Sequence, residues 1–373
     1  AEFGDLLREV QRAHNLPVDE MALPGPPPSG PARPHRAPSV TGPAATVSGR
    51  SATASGRTGP STAPSTRFRP PSITRPLVER TRLISALRDG QRRRLTAIHA
   101  PTGFGKSTLA AQWRNALAEE GVPVAWLTVD SDDNNVLWFL AHLVEAMKQI
   151  RPVLARELGQ ILDAHGDEAE RYVLSTLIDE LHRTDTAATL FIDDWHRVTS
   201  RETVAALDFL LDKGCHHLQI VVTSRNRSGL PLSRMRVRDE LVEIDSTALR
   251  FGVEESDAFL RDVGGIDLDP EDVQDLTRTT EGWAAALQLA SLSLRDSDDP
   301  SWLIENITGR HHAIGEFLAD NVLAGLEPRM YEFLLATSIT ESISGSLAAA
   351  LTGDPRSQAL LEEAEERDLF LRH

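Results

Sequence analysis

The chain has 373 residues, 40% of them hydrophobic and 25% charged, which is enough for two or three packed domains rather than one. Its formal net charge of −16 opposes a broad electrostatic footprint on nucleic acid, so direct DNA binding by this stretch is not expected. No apolar run approaches the roughly 20 residues that cross a bilayer, no signal-peptide order opens the sequence, and the lone Cys215 allows no internal disulfide; the reading is a cytoplasmic chain with no membrane partner.

Phe3, Leu6, Leu7 and Val10 recur at helical spacing until Asn15, Pro17 and the Pro24-Gly25-Pro26-Pro27-Pro28 run stop the helix. Residues 1–23 are therefore expected to be the end of a preceding domain. From Pro24 to Ser72 the chain is dominated by Pro, Gly, Ser, Thr and Ala, which bury too little apolar area to offset chain ordering. This span is expected to be a disordered linker. Its arginines, Arg33, Arg36, Arg50, Arg57, Arg67 and Arg69, then belong to a solvated tether, and the neighbouring Ser and Thr residues offer phosphate acceptors.

Order resumes near Ile73. Strands are expected over Arg94 to His99, Val122 to Val129, Thr189 to Asp193, Leu218 to Thr223 and Leu241 to Ile244, with helices over Lys106 to Glu119, Trp138 to Met147 and Tyr172 to His182. That alternation implies an α/β domain, residues 73–250, with a parallel sheet covered on both faces. Beyond Val253 strands give way to amphipathic helices, including Glu281 to Leu294 and Ile314 to Leu323. A helical lid at 251–310 and a small helical domain at 311–373, cut short at the C-terminus, are expected.

Ala100-Pro101-Thr102-Gly103-Phe104-Gly105-Lys106-Ser107 follows a strand and opens a helix, the setting that a GxxxxGK[ST] phosphate loop requires. Only the first glycine departs, as Ala100, and the amides from Gly103 to Thr108 still point at phosphates if Ala100 needs no positive φ. Lys106 is expected to neutralise the β and γ oxygens of ATP, and Ser107 to hold Mg²⁺. Leu190-Phe191-Ile192-Asp193-Asp194 is an apolar strand ending in two acids, of which Asp193 would bind the Mg²⁺ and Asp194 would orient or deprotonate the attacking water. Arg225, after the fourth strand, is assigned to sensing the γ-phosphate, with a surface role as the alternative. Lys213-Gly214-Cys215-His216-His217 has no second ligand pair at a zinc-finger spacing, so a metal site there is disfavoured.

Several segments together resemble the MalT-type branch of the STAND ATPases, signal-transduction relatives of the AAA+ fold. They are APTGFGKSTLAAQW (100–113), WLTVDSDDN (126–134), LFIDDWH (190–196), TSRN (223–226), RVRDELVEI (236–244) and EGWAAALQLASL (281–292). The resemblance implies a switch with ADP-closed and ATP-open states, reset by slow hydrolysis and able to self-associate. It also implies that Arg75 to Arg80 lie near the adenine, with Val78 touching the base, and that Gly282-Trp283-Ala284 replaces the lid motif GxP. Residues from about Ile314 onward look like a partial winged helix. The Phe3 helix, the linker and the core resemble kinase-fused members, so a Ser/Thr kinase domain and a sensor region of the same polypeptide are the expected partners. Two alternatives stand beside the switch: a P-loop scaffold that binds nucleotide without turnover, and a small-molecule kinase. Arg236 and Arg238 are candidates for an arginine supplied in trans, a structural role in their turn being the other reading.

Overall fold

A computed structural model describes residues 64–72, 76–165, 169–183, 187–214, 217–295, 304, 326–340 and 343–366. Strands β1 (Leu95–His99), β2 (Val124–Thr128), β3 (Ala188–Asp193), β4 (Leu218–Ser224) and β5 (Leu241–Ile244) pair in parallel in the order β2-β3-β4-β1-β5. β1, β3 and β4 are buried at every position, as near-continuous apolar strands must be when helices cover both faces of a sheet.

The helices of this domain are α1 (Thr81–Asp89), α2 (Lys106–Glu119), α3 (Val136–Met147), α4 (Pro152–His165), α5 (Ala169–Arg183), α6 (Arg201–Lys213) and α7 (Leu232–Val237). Because successive strand residues face opposite layers, the sheet divides the core in two. Leu95, Ala97, Leu190, Ile192, Ile220 and Val222 join the apolar faces of α3 to α6. Ile98, Phe191, Val221, Val242 and Ile244 meet α1 and α2 on the other side, where Trp126 stacks on Phe191 at 5.4 Å between ring centroids. Asn135 starts α3 by accepting from the amides of Leu137 and Trp138, satisfying two of the four donors that a helix start leaves free.

After β5 come α8 (Ser246–Leu249), α9 (Val253–Ala258), which runs into a π turn at Phe259–Val263, α10 (Pro270–Thr279) and α11 (Ala284–Arg295). Leu260, Val273, Leu276, Leu287 and Leu294 give these helices their own core. A further core of Met330, Phe333, Leu334 and Leu360 joins α12 (Pro328–Thr337), α13 (Gly345–Thr352) and α14 (Ser357–Glu366). Among the described residues no helix is long and apolar enough to cross a membrane.

Three differences from the sequence expectations are informative. Glu281 and Gly282 are not the first turn of α11: both have left-handed backbones, φ 53° and 66°, and Gly282 N donates to Thr277 O at 3.0 Å, so they close α10 instead. The helix α4 was not foreseen. Most consequentially, Ser65–Phe68 forms a 3₁₀ turn inside the span assigned to the tether, and Arg67 is buried at 8% exposure rather than solvated. Pairing with Asp130, Asp133 and His142 offsets the cost of burying its charge, a compensation that composition does not register. The expected helices at Phe3 to His14 and Ile314 to Leu323 lie outside the described residues, as do Ile73 to Arg75, Cys215 and His216.

Candidate nucleotide-binding site

The strand order places β4 between β1 and β3, so the loop after β1 and the acids ending β3 open at the same edge of the sheet, where parallel α/β sheets hold ligands. The loop is tied down at its start by Ala100 N donating to Ser224 O at 3.3 Å. Ala100 is buried and is not among the residues of positive φ, whereas Gly103 and Gly105 have φ 83° and 79°. The replacement of the first glycine therefore costs the loop no backbone conformation. Gly105 is also the N-cap of α2, which leaves the first amides of that helix directed at the loop.

Lys106 is buried and its ammonium donates to Pro101 O at 2.8 Å, which folds it across the loop. Ser107 Oγ donates to Asp193 Oδ1 at 2.8 Å, and Thr223 Oγ1 donates to the same oxygen. Thr223 also accepts from the amide of Asp194 at 3.1 Å, so one hydroxyl from β4 fixes both acids. Burial pushes the Asp193 carboxyl up and Asp194 adds to the rise, while Thr223, Ser107 and Lys106 oppose it. Ser107 and Asp193 offer adjacent oxygen donors of the kind Mg²⁺ takes when phosphates and waters complete its shell, so the residues fit that ion.

Asp194 is half-buried and held at φ 64°, a left-handed conformation that costs a non-glycine residue about 1 kcal/mol. Arg197 Nε lies 3.7 Å from its Oδ2 and His196 Nδ1 lies 3.8 Å from its Oδ1. Burial, then the positive charges of Arg225, Lys106 and Arg197, push the His196 imidazole down to about 3, so it is neutral near pH 7. Arg225 is exposed just beyond β4 and joins the site through this field. Arg236 pairs with Glu243 and Arg238 with Asp212, so both candidates for a trans arginine have partners in their own chain.

Beside the loop, a cavity of about 330 Å³ is lined by Leu77, Val78, Thr108, Leu109, Gln112, Phe251 and Ala284 among others. Its apolar walls and its place against the first turn of α2 suit a planar base beside phosphates. Val78 is held there by its carbonyl, which accepts from Gln112 Nε2 at 2.8 Å. Arg80, from the same segment, also lines this cavity and serves there as a structural post. It pairs with Glu255 at 2.9 Å, donates to Leu249 O at 2.7 Å and lies 4.4 Å above the Phe251 ring.

The helical unit after β5 closes on the phosphate loop itself. Trp283 Nε1 donates to Thr102 O at 3.2 Å, Ala285 N donates to Gly103 O at 3.1 Å, and the Trp283 and Phe104 rings lie 6.2 Å apart. A Cβ at Gly103 would sit 2.6 Å from that of Ala285, so glycine is also required by this close approach. Two contributors escaped sequence reasoning. Thr223 lay in the quoted TSRN and His196 in LFIDDWH, but neither spacing nor residue type showed that they face the acids.

The family described as an AAA domain matches residues 88–227, and that described as the MalT winged helix domain matches 319–373. The chain is 52% identical over its whole length to the Serine/threonine-protein kinase PknK of Mycobacterium tuberculosis and covers 33% of that protein. Over 83% of the chain it is 30% identical to the HTH-type transcriptional regulator MalT of Yersinia pestis, covering 34% of it. It thus spans about a third of the length of these relatives. Among solved structures, a STAND protein with a tetratricopeptide repeat sensor from Pyrococcus horikoshii is 18% identical with a TM-score of 0.42, covering 80% of this chain and 40% of that one.

Proposed function

From an AAA domain followed by a MalT-type winged helix, the makings of a MalT-like STAND module, we propose that this chain is an ATP-binding regulatory switch within a larger cytoplasmic Ser/Thr kinase. The observation that carries the reading is the docking of the lid, through Trp283 and Ala285, onto carbonyls of the loop that would hold the phosphates. A domain that grips the phosphate loop responds to what the loop binds, because a ligand that favours one loop shape shifts the lid with it.

The chain's own residues divide the work. Amides from Gly103 to Thr108 and the Lys106 ammonium bind the phosphates, and Val78 and its neighbours enclose the adenine. Ser107 and Asp193 would hold Mg²⁺, which when bound neutralises phosphate charge. Asp194 orients the attacking water and accepts its proton, with the neutral His196 and Arg225 beside it. Slow turnover returns an ATP-open, self-associating form to an ADP-closed one, and the attached kinase and sensor regions read that state.

The test is the nucleotide released from the purified chain on denaturation, together with its ATP turnover. Bound ADP, lost in Lys106→Ala, and turnover slowed by about 10²- to 10⁴-fold in Asp194→Asn with binding retained, are the expected results. Equal loss of binding in both variants contradicts the roles. A scaffold that binds without turnover is favoured by one observation, that Arg236 and Arg238 are already paired within the chain. Tight ADP binding with no turnover at any protein concentration would select it.

A further inference from the structure

β2 is an edge strand, and an uncovered edge offers free backbone groups to other chains. The turn Ser65–Phe68 lies beside it, with Phe68 packed against the adjoining core and its carbonyl accepting from Gln149 Nε2 at 3.0 Å. From this turn Arg67 enters an acidic socket. It pairs with Asp130, lies 3.7 Å from Asp133, and places Nη1 2.8 Å from His142 Nδ1 and 3.1 Å from Nε2. His142 Nδ1 is 2.7 Å from Asp133 Oδ1, so the imidazole lies between the carboxylate and the guanidinium, and with its proton on Nδ1 it donates to Asp133. Asp133 has no exposure, so surrounding partners must offset the cost of its burial.

A second 3₁₀ turn, Ser131–Asn134, carries both Asp133 and Asn134, and Asn134 reaches across to the loop after the candidate catalytic acid. Asn134 Nδ2 donates to Arg197 O at 3.1 Å, and its Oδ1 accepts from the amides of Thr199 and Ser200 at 2.7 and 2.8 Å. Thr203 Oγ1 donates to Asp133 O at 2.8 Å, fixing the first turn of α6 to the socket as well. Arg197 in turn faces Asp194. Hydrogen bonds therefore connect the end of the tether to the segment whose left-handed residue aims Asp194.

We propose that Arg67 is a positioning residue for hydrolysis: docked in the Asp130, Asp133 and His142 socket, it holds the Asn134 turn and so the loop carrying Asp194, and loss of that docking loosens the loop without touching the nucleotide cavity. The proposal rests on the ATPase reading above for its catalytic consequence alone. It supplies a route by which a neighbouring domain tunes turnover from the side of the sheet remote from β1, where the phosphate loop begins.

The test uses the full chain with Arg67→Met, Arg67→Lys and Asn134→Ala. Arg67→Met and Asn134→Ala are each expected to lower kcat by about 2- to 30-fold, the range for coupling through a packed network. KM for ATP stays unchanged, and Arg67→Lys recovers part of the loss. The double variant should be no slower than the slower single one, since both break one chain of contacts. Amide exchange at 195–200 should accelerate in Arg67→Met while that at 100–108 does not. Unchanged exchange at 195–200 overturns the proposal, as does a fall in kcat matched by an equal loss of nucleotide affinity. A wild-type chain without turnover removes the ATPase reading, and exchange then decides the coupling by itself.

Discussion

Replacing Trp283 separates what the lid contributes from what the phosphate loop does alone. The side chain donates from Nε1 to Thr102 O at 3.2 Å and sets its ring 6.2 Å from that of Phe104. Trp283→Phe keeps a ring and removes the donor, which weakens docking by about 1 kcal/mol, the net worth of such a bond. Trp283→Ala also forfeits the aromatic pair, a further loss of about 1 kcal/mol before any buried area is counted. With about 1.4 kcal/mol for each factor of ten, the undocked population should rise roughly 5-fold in the first variant and at least about 25-fold in the second. Limited proteolysis and amide exchange over 284–295 read that population directly, and ADP affinity should fall in the same rank order. An alanine variant whose lid exchanges like wild type would refute the assignment of Trp283 as the link. So would equal effects of the two substitutions, since the hydrogen bond and the ring would then not be separable contributions.

Gly282→Ala should unfold the base of the lid while leaving the sheet intact: φ is 66° and a Cβ would lie 2.3 Å from Phe251 O, a backbone atom with nowhere to go, so loss of the lid's protease resistance is the readout. Acid should destabilise the chain through His196. Its imidazole is held down to about 3 when folded and titrates near its ordinary value of 6.5 when unfolded. The unfolded state therefore binds the extra proton between those values, and the stabilisation is complete above pH 6.5 and is lost as pH falls. By pH 4 the loss is on the order of 3 kcal/mol, and His196→Asn should flatten that limb of a urea-denaturation profile against pH.

Much of the α/β domain was legible because its elements obey local rules. β5 falls on Leu241–Ile244 as expected, and the other strands begin or end within two residues of the expected span, since uninterrupted apolar runs bounded by turns leave little choice. The phosphate loop was legible from its glycines and Lys106, and the structure brings Ser107, Asp193 and Thr223 onto one oxygen there. What stayed hidden depends on partners distant in sequence. Arg67 resembled any arginine in a Pro-rich stretch until Asp133, 66 positions on by its number, supplied the countercharge. Glu281 and Gly282 extended a helical period that belongs to the next helix, because amphipathic spacing does not register a left-handed cap. His196 carried no signal at all, since the drop in its pKa comes from burial and three cations, of which Lys106 and Arg225 are distant in sequence.

The lid grips the phosphate loop by carbonyl oxygens, and an amide has two ends. The peptide unit whose oxygen, on Thr102, receives the Trp283 indole carries its hydrogen on Gly103, at the start of the run of amides proposed to meet phosphate. Because that unit is planar and rigid, it can turn only as a plate, and any tilt that brings the hydrogen toward an anion swings the oxygen against or away from the indole. The two bonds also polarise each other through the plate, each making the other stronger. On the proposed switch reading, communication between bound nucleotide and lid would span the width of one peptide group, and would require no helix to shift or loop to refold before it begins.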